Sequence, residues 1–158
     1  MAVISYSAYE ITKVAIEIEK NGYIFYQKAA KLSRSRPVSE LFRGLAEEEI
    51  QHRVFFEGLA KLIPHKPDAE TTPPDEYLSA IADAAILQQR KGMKAVAEQR
   101  LTDQEALDIA VQVEKNAILY YTELLRFVSE KEKGMVEELV AEEKRHLTKL
   151  TSISNNLA

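Results

Sequence analysis

Six residues of this chain have the types and spacing to hold metal ions: Glu19, Glu49, His52, Glu114, Glu143 and His146. Glu49 and His52 form a Glu-x-x-His pair, and so do Glu143 and His146. Residues three or four apart share a helix face, so each pair would present a carboxylate and an imidazole side by side. The stripe Val38, Phe42, Leu45, Glu49, His52, Phe56, Leu59 is an apolar seam interrupted by these two ionisable groups. Val136, Leu139, Glu143, His146, Leu150, Ile153 has its interruption at the matching place. Glu19 lies on a face with Ala15, Gly22, Tyr26 and Ala29, and Glu114 on one with Leu107, Ala110, Ala117 and Tyr121. A buried charge costs several kcal/mol even after relaxation. Four carboxylates in one core therefore need protons or cations, and two divalent ions balance four Glu while the imidazoles bind neutral. The small neighbours Ala15, Gly22, Ala110 and Ala117 would leave room for ions, water and a diatomic ligand.

One Glu-x-x-His on a helix is most often a solvated face, and the repetition argues otherwise. Residues 18–26 align with 113–121 at an offset of 95 (114 minus 19), and 49–52 with 143–146 at 94 (143 minus 49). Two related hairpins would each contribute half of one site. Tyr26 and Tyr121, two turns beyond Glu19 and Glu114, are core aromatics whose hydroxyls need partners. Each is expected to hydrogen-bond a metal-ligating Glu from another helix and tune the centre. Glu17, Glu47, Glu48, Glu123 and Glu142 fall off the stripes as solvated or ion-paired groups, with Glu48 and Glu142 near enough to support the ligands from behind. Tyr23, Phe25, Phe55, Tyr120 and Phe127 read as core or dimer-contact aromatics.

Helices must position all of this. Ser7 and Glu10 have capping-box spacing for a first helix reaching about Leu32. Pro37 suits the first turn of a second, which Pro64 stops. Residues 63–75 hold four of the five prolines together with His65, expected as an exposed loop residue, and read as a long crossover. The pattern allows a short extra helix over about 74–89 and leaves 90–100 undecided. Thr102 with Glu105 starts a third core helix, to about Val128, and Ser129 with Glu132 a fourth, to about Ile153. Two hairpins joined by one long connection make the ferritin-like variant of an all-α four-helix bundle, a single domain over 1–158.

The composition agrees. With no cysteine among 158 residues, disulfides, thiolate zinc sites, iron–sulfur ligation and a Cys nucleophile are excluded. Net charge is −4 with no continuous basic stripe, so nucleic acid is not expected. Apolar runs are short, which argues against a membrane span, and residues 1–6 lack the features of a signal peptide, so a cytoplasmic protein is expected.

The order Glu19-x6-Tyr26, Glu49-x-x-His52, Glu114-x6-Tyr121, Glu143-x-x-His146, over about Ala15–Leu150, resembles the rubrerythrin branch of the ferritin-like di-iron carboxylate superfamily. The resemblance implies two iron ions bridged by Glu49 and Glu143, with Glu19, His52, Glu114 and His146 as terminal ligands. The donor set also suits manganese, and zinc remains open. It implies reduction of hydrogen peroxide or dioxygen, or ferroxidation and iron handling, with a non-catalytic metal module as the third reading. Two departures stand out. Classical rubrerythrins carry a four-cysteine iron domain that feeds electrons inward; without cysteine, a separate donor protein is expected. They also place another carboxylate one turn from the third-helix Glu, where this chain has Ala110, Val111, Ala117 and Ile118. A homodimer is expected.

Overall fold

The computed structural model describes residues 8–63 and 76–157, and these form five helices. They are α1 (Ala8–Leu32), α2 (Arg36–Leu62), α3 (Glu76–Ala97), α4 (Asp103–Leu124) and α5 (Glu130–Leu157). Ser7, His65 and the proline-rich stretch lie outside the described residues. Pro37 sits in the first turn of α2, where a missing N–H costs nothing. Thr102 and Glu105 close a full capping box on α4, with Glu105 N–H donating to Thr102 Oγ1 at 3.2 Å and Thr102 N–H to Glu105 Oε2 at 2.8 Å.

The hairpins α1–α2 and α4–α5 pack through α1 against α4 and α2 against α5, while α3 lies along α1 and α4. The N–H of Ser35, in the α1–α2 turn, donates to Asp103 Oδ2 at 2.9 Å at the head of α4. At the opposite end Tyr120 OH donates to Ile11 O at 2.7 Å. These contacts fix α1 and α4 antiparallel and in register.

The expected extra helix is longer than its pattern suggested, running on through 90–97 to Ala97. Its buried stripe is Leu78, Ala82, Ala85, Gln89, Gly92, Val96, in which Ala82, Ala85 and Gly92 are small enough to allow close approach. A methyl group at Gly92 would stand 2.9 Å from Ile109 Cγ2 and 3.3 Å from the Phe25 ring. The helix closes in a Schellman turn, Arg100 N–H to Ala95 O and Gln99 N–H to Val96 O, with Gln99 left-handed at φ 54°. The third core helix stops at Leu124 rather than Val128, because tight turns take over, Arg126 N–H bonding Glu123 O and Phe127 N–H bonding Leu124 O. The last helix runs beyond Ile153 to Leu157.

Two apolar clusters fill the bundle. One gathers Ile11, Ile18, Phe56, Leu59, Tyr120, Tyr121 and Val136, and the other Phe25, Tyr26, Val38, Phe42, Leu107 and Leu150. On every core helix the metal-type residues fall between the members of one cluster and those of the other. Each fully buried large apolar side chain contributes roughly 1.5–3 kcal/mol, so two such clusters can hold a costly polar layer clamped between them.

Candidate metal centre

That polar layer is buried. Glu19, Glu49, His52, Glu114, Glu143 and His146 are each at most 4% exposed. They form two overlapping groups, Glu19–Glu49–His52–Glu143 and Glu49–Glu114–Glu143–His146, with donor atoms inside each group within 4.8 Å of one another. Glu49 and Glu143 belong to both.

Both imidazoles turn Nδ1 inward. His52 Nδ1 stands 2.8 Å from Glu143 Oε1 and 3.5 Å from Glu19 Oε2. His146 Nδ1 stands 3.1 Å from Glu143 Oε2, 3.7 Å from Glu114 Oε1 and 3.8 Å from Glu49 Oε1. The rings stack, with centroids 5.5 Å apart. Their outer nitrogens are held crosswise between hairpins: His52 Nε2 by Glu142 Oε2 at 2.8 Å, His146 Nε2 by Glu48. The tyrosines cross as well, Tyr26 OH donating to Glu114 Oε1 and Tyr121 OH to Glu19 Oε1.

Ion-pair proximity here does not amount to hydrogen bonding. Eight buried side-chain atoms among the described residues lack a hydrogen-bond partner, and six of them converge on this layer: Glu19 Oε2, Glu49 Oε1, both oxygens of Glu143, and Nδ1 of His52 and of His146. Unsatisfied buried polar atoms are rare in native proteins, and so many pointing at one place fit bound cations.

Without cations, protons neutralise the layer. Burial, then the charge of Glu143, raises the pKa of Glu19 and takes Glu114 up to about 8. Burial, then the charge of Glu19, pushes Glu49 well above the carboxylate range. For Glu143 burial also acts upward, but the imidazoles of His146 and His52, each close to one of its oxygens, outweigh it and hold the carboxyl below the usual range. Burial opposes charge on the imidazoles, yet the surrounding carboxylates lift His52 to about 12 and His146 to about 10. Burial and the neighbouring Glu groups keep both tyrosines protonated and able to donate.

All six sequence-derived residues come together, and the other acids sort around them. Glu48 and Glu142 reach the imidazoles, whereas Glu17 and Glu123 serve surface arginines, Arg90 at 4.0 Å and Arg126 at 2.6 Å. Phe25 and Tyr120 are buried, and Tyr23, Phe55 and Phe127 half-buried. Two features were not visible in the spacing. Gln89 of α3 is buried and donates through Nε2 to Ile18 O at 2.7 Å, bracing α1 beside Glu19. A methyl group at Gly22 would stand 2.5 Å from Glu49 Oε2, so that glycine makes the room Glu49 occupies.

No helix among the described residues is long and apolar enough to cross a membrane. The model of the family described as Rubrerythrin matches residues 10–154. Neither a curated protein nor a solved structure matches the chain.

Proposed function

The chain belongs to the rubrerythrin family, and from that premise we propose that it is a di-iron oxidoreductase reducing hydrogen peroxide, or dioxygen, with electrons from a separate donor protein. The observation that carries this reading is the set of six unpartnered buried atoms in two overlapping donor groups. Glu49 and Glu143, common to both groups, would be shared by the two ions; Glu19 and His52 would complete one position, Glu114 and His146 the other. Bound Fe(II) ions would supply one electron each, which with two protons convert one hydrogen peroxide to two waters.

The chain's own part is orientation and exclusion. Glu48 and Glu142 hold the imidazoles from outside and leave Nδ1 for the metal. Tyr121 fixes Oε1 of Glu19 and leaves Oε2 to ligate, while Tyr26 orients Glu114 through Oε1, the oxygen that also faces His146 Nδ1. The apolar clusters above and below keep bulk water out, while Ala15, Gly22, Ala110 and Ala117 avoid filling the centre. Stopped-flow mixing of Fe(II)-loaded protein with peroxide should show oxidation far faster than that of free Fe(II). Equal rates would overturn the peroxidase reading.

A second reading, ferroxidation and iron handling, is favoured by one observation: Ala110, Val111, Ala117 and Ile118 surround Glu114 with apolar groups and offer no further carboxylate. Size-exclusion chromatography after iron loading separates the two. A small oligomer retaining about two ions per chain, all that six ligands can hold, argues against storage.

Gly22 gives a test of the ligand geometry. Gly to Ala inside a helix gains about 1 kcal/mol from propensity, so Gly22→Ala should fold at least as well as wild type by urea denaturation. Its methyl group would nevertheless displace Glu49 Oε2, and metal affinity by calorimetry should fall about tenfold, the equivalent of about 1.4 kcal/mol. A variant with undiminished affinity would remove Glu49 from the ligand set.

A further inference from the structure

The two halves of the centre are near copies, but the surfaces above them are not. Over His52 a cleft of about 240 Å³ opens between α2 and α5, lined by Gln51, Phe55, Met135, Glu138, Leu139 and Glu142. The internal repeat shows what the other half has instead. An offset of 94 carries Gln51 and Phe55 onto Arg145 and Lys149, and Glu138 and Glu142 back onto Gly44 and Glu48. At these positions the His52 side carries Glu138 and Glu142, and the His146 side Lys149 and Glu48, with Arg145 of the second set reaching to 3.7 Å from Glu142. On that second side Lys149 Nζ stands 3.9 Å from Glu48 Oε1, a cation posted beside the carboxylate that holds His146.

The cleft also leads somewhere. Its floor is His52, 4% exposed, with Nε2 on Glu142 in the wall and an unpartnered Nδ1 facing the centre. Phe55 and Met135 give it apolar walls, which focus the field of the acids. Arg145 offsets part of the charge of Glu142, from 3.7 Å and largely in solvent, and leaves Glu138 exposed at the mouth. Helix α3 packs against α1 and α4 and not along the α2–α5 seam where this cleft opens.

We propose that this cleft is the entrance through which divalent cations reach the centre, with Glu138 capturing the ion at the mouth and Glu142 handing it inward past His52. The proposal rests on the reading of the six-residue layer as a metal centre. Its corollary is an order of filling: the position of Glu19 and His52 is reached first, and that of Glu114 and His146 through it.

Cobalt(II) separates the route from the site. Metal-free protein is mixed with Co(II) at low salt, the rise of its visible absorption gives the uptake rate, and equilibrium dialysis gives the number of ions bound. Glu138→Lys should slow uptake about tenfold, within the range of electrostatic steering, yet still bind two ions per chain, and added salt should shrink the difference. Asp83→Lys, the same charge change at an exposed position on α3, should stay within about twofold of wild type. Equal slowing in both variants, or no slowing in Glu138→Lys with two ions still bound, overturns the entrance and leaves the centre standing. Wild-type protein that binds no cobalt overturns both.

Discussion

Replacing Glu143 by Gln is expected to strip the protein of both metal ions rather than one. Glu143 belongs to both donor groups, and each of its oxygens faces one imidazole Nδ1, at 2.8 and 3.1 Å. An amide of the same shape keeps one acceptor oxygen, loses the charge and turns an N–H₂ donor toward one ion. Elemental analysis after dialysis should find well under one ion per chain. Glu19→Gln, which touches only one group, should keep about one, since all four donors of the other group, Glu49, Glu114, Glu143 and His146, survive. The fold should weaken as well. Removing one member of a buried charge pair costs roughly 3–5 kcal/mol, and the lower end is expected because Glu19 or Glu49 can ionise in place of Glu143. Two ions retained by Glu143→Gln would sink the bridging role.

Metal-free and metal-loaded protein should respond to pH in opposite directions. In the metal-free state His52 is lifted to about 12 and His146 to about 10, against an ordinary 6.5, and Glu114 to about 8 against 4.5. Groups whose folded pKa is raised bind more protons folded than unfolded, so their stabilisation is complete below the unfolded value and drains away as pH climbs toward the folded one. For the imidazoles the loss begins near pH 6.5, and for Glu114 near 4.5. Glu143 works the other way, its contribution present above 4.5 and lost in acid. Chelator-treated protein should therefore be most stable in mild acid and lose on the order of 4 kcal/mol between pH 6 and 8, about half from each imidazole. Metal binding must expel the imidazole protons and those held by the raised carboxyls, so each ion should bind at least about tenfold tighter per pH unit over that range. Melting curves with and without metal at both pH values, together with proton release in weak buffer, measure this. Parallel pH trends in the two forms would show that the imidazoles are not displaced from protons by metal.

The bundle was legible from the sequence where the periodicity had large side chains to write with. Val38, Phe42, Phe56 and Leu59 bracket Glu49 and His52 so strongly that helix, face and depth follow together. The internal repeat did the rest, since it marked the same interruption on all four core helices. Helix α3 was harder because between Leu78 and Val96 its inward stripe is only Ala, Gln and Gly, too small or polar to write a strong apolar periodicity, and because its Schellman turn uses Gln99 where a glycine would have announced the end. The stop at Leu124 was hidden for the opposite reason: Leu125, Phe127 and Val128 continue an apolar rhythm after the backbone has already turned. Within the site, residue types and faces could be read, and directions could not. That His52 and His146 present Nδ1 inward, and that Glu49 leans into the space over Gly22, depend on rotamers set by neighbours on other helices.

The crosswise holding of the imidazoles, His52 by Glu142 and His146 by Glu48, bears on how the protein is made. Neither hairpin owns a finished half: each brings its histidine and depends on the other to aim it. A nascent chain with only α1 and α2 docked offers an ion three donors and an unsteadied ring, a poor trap for any metal. On the reading of this layer as a metal centre, tight capture is expected only once both hairpins have met, so that bound ions would mark completed assembly.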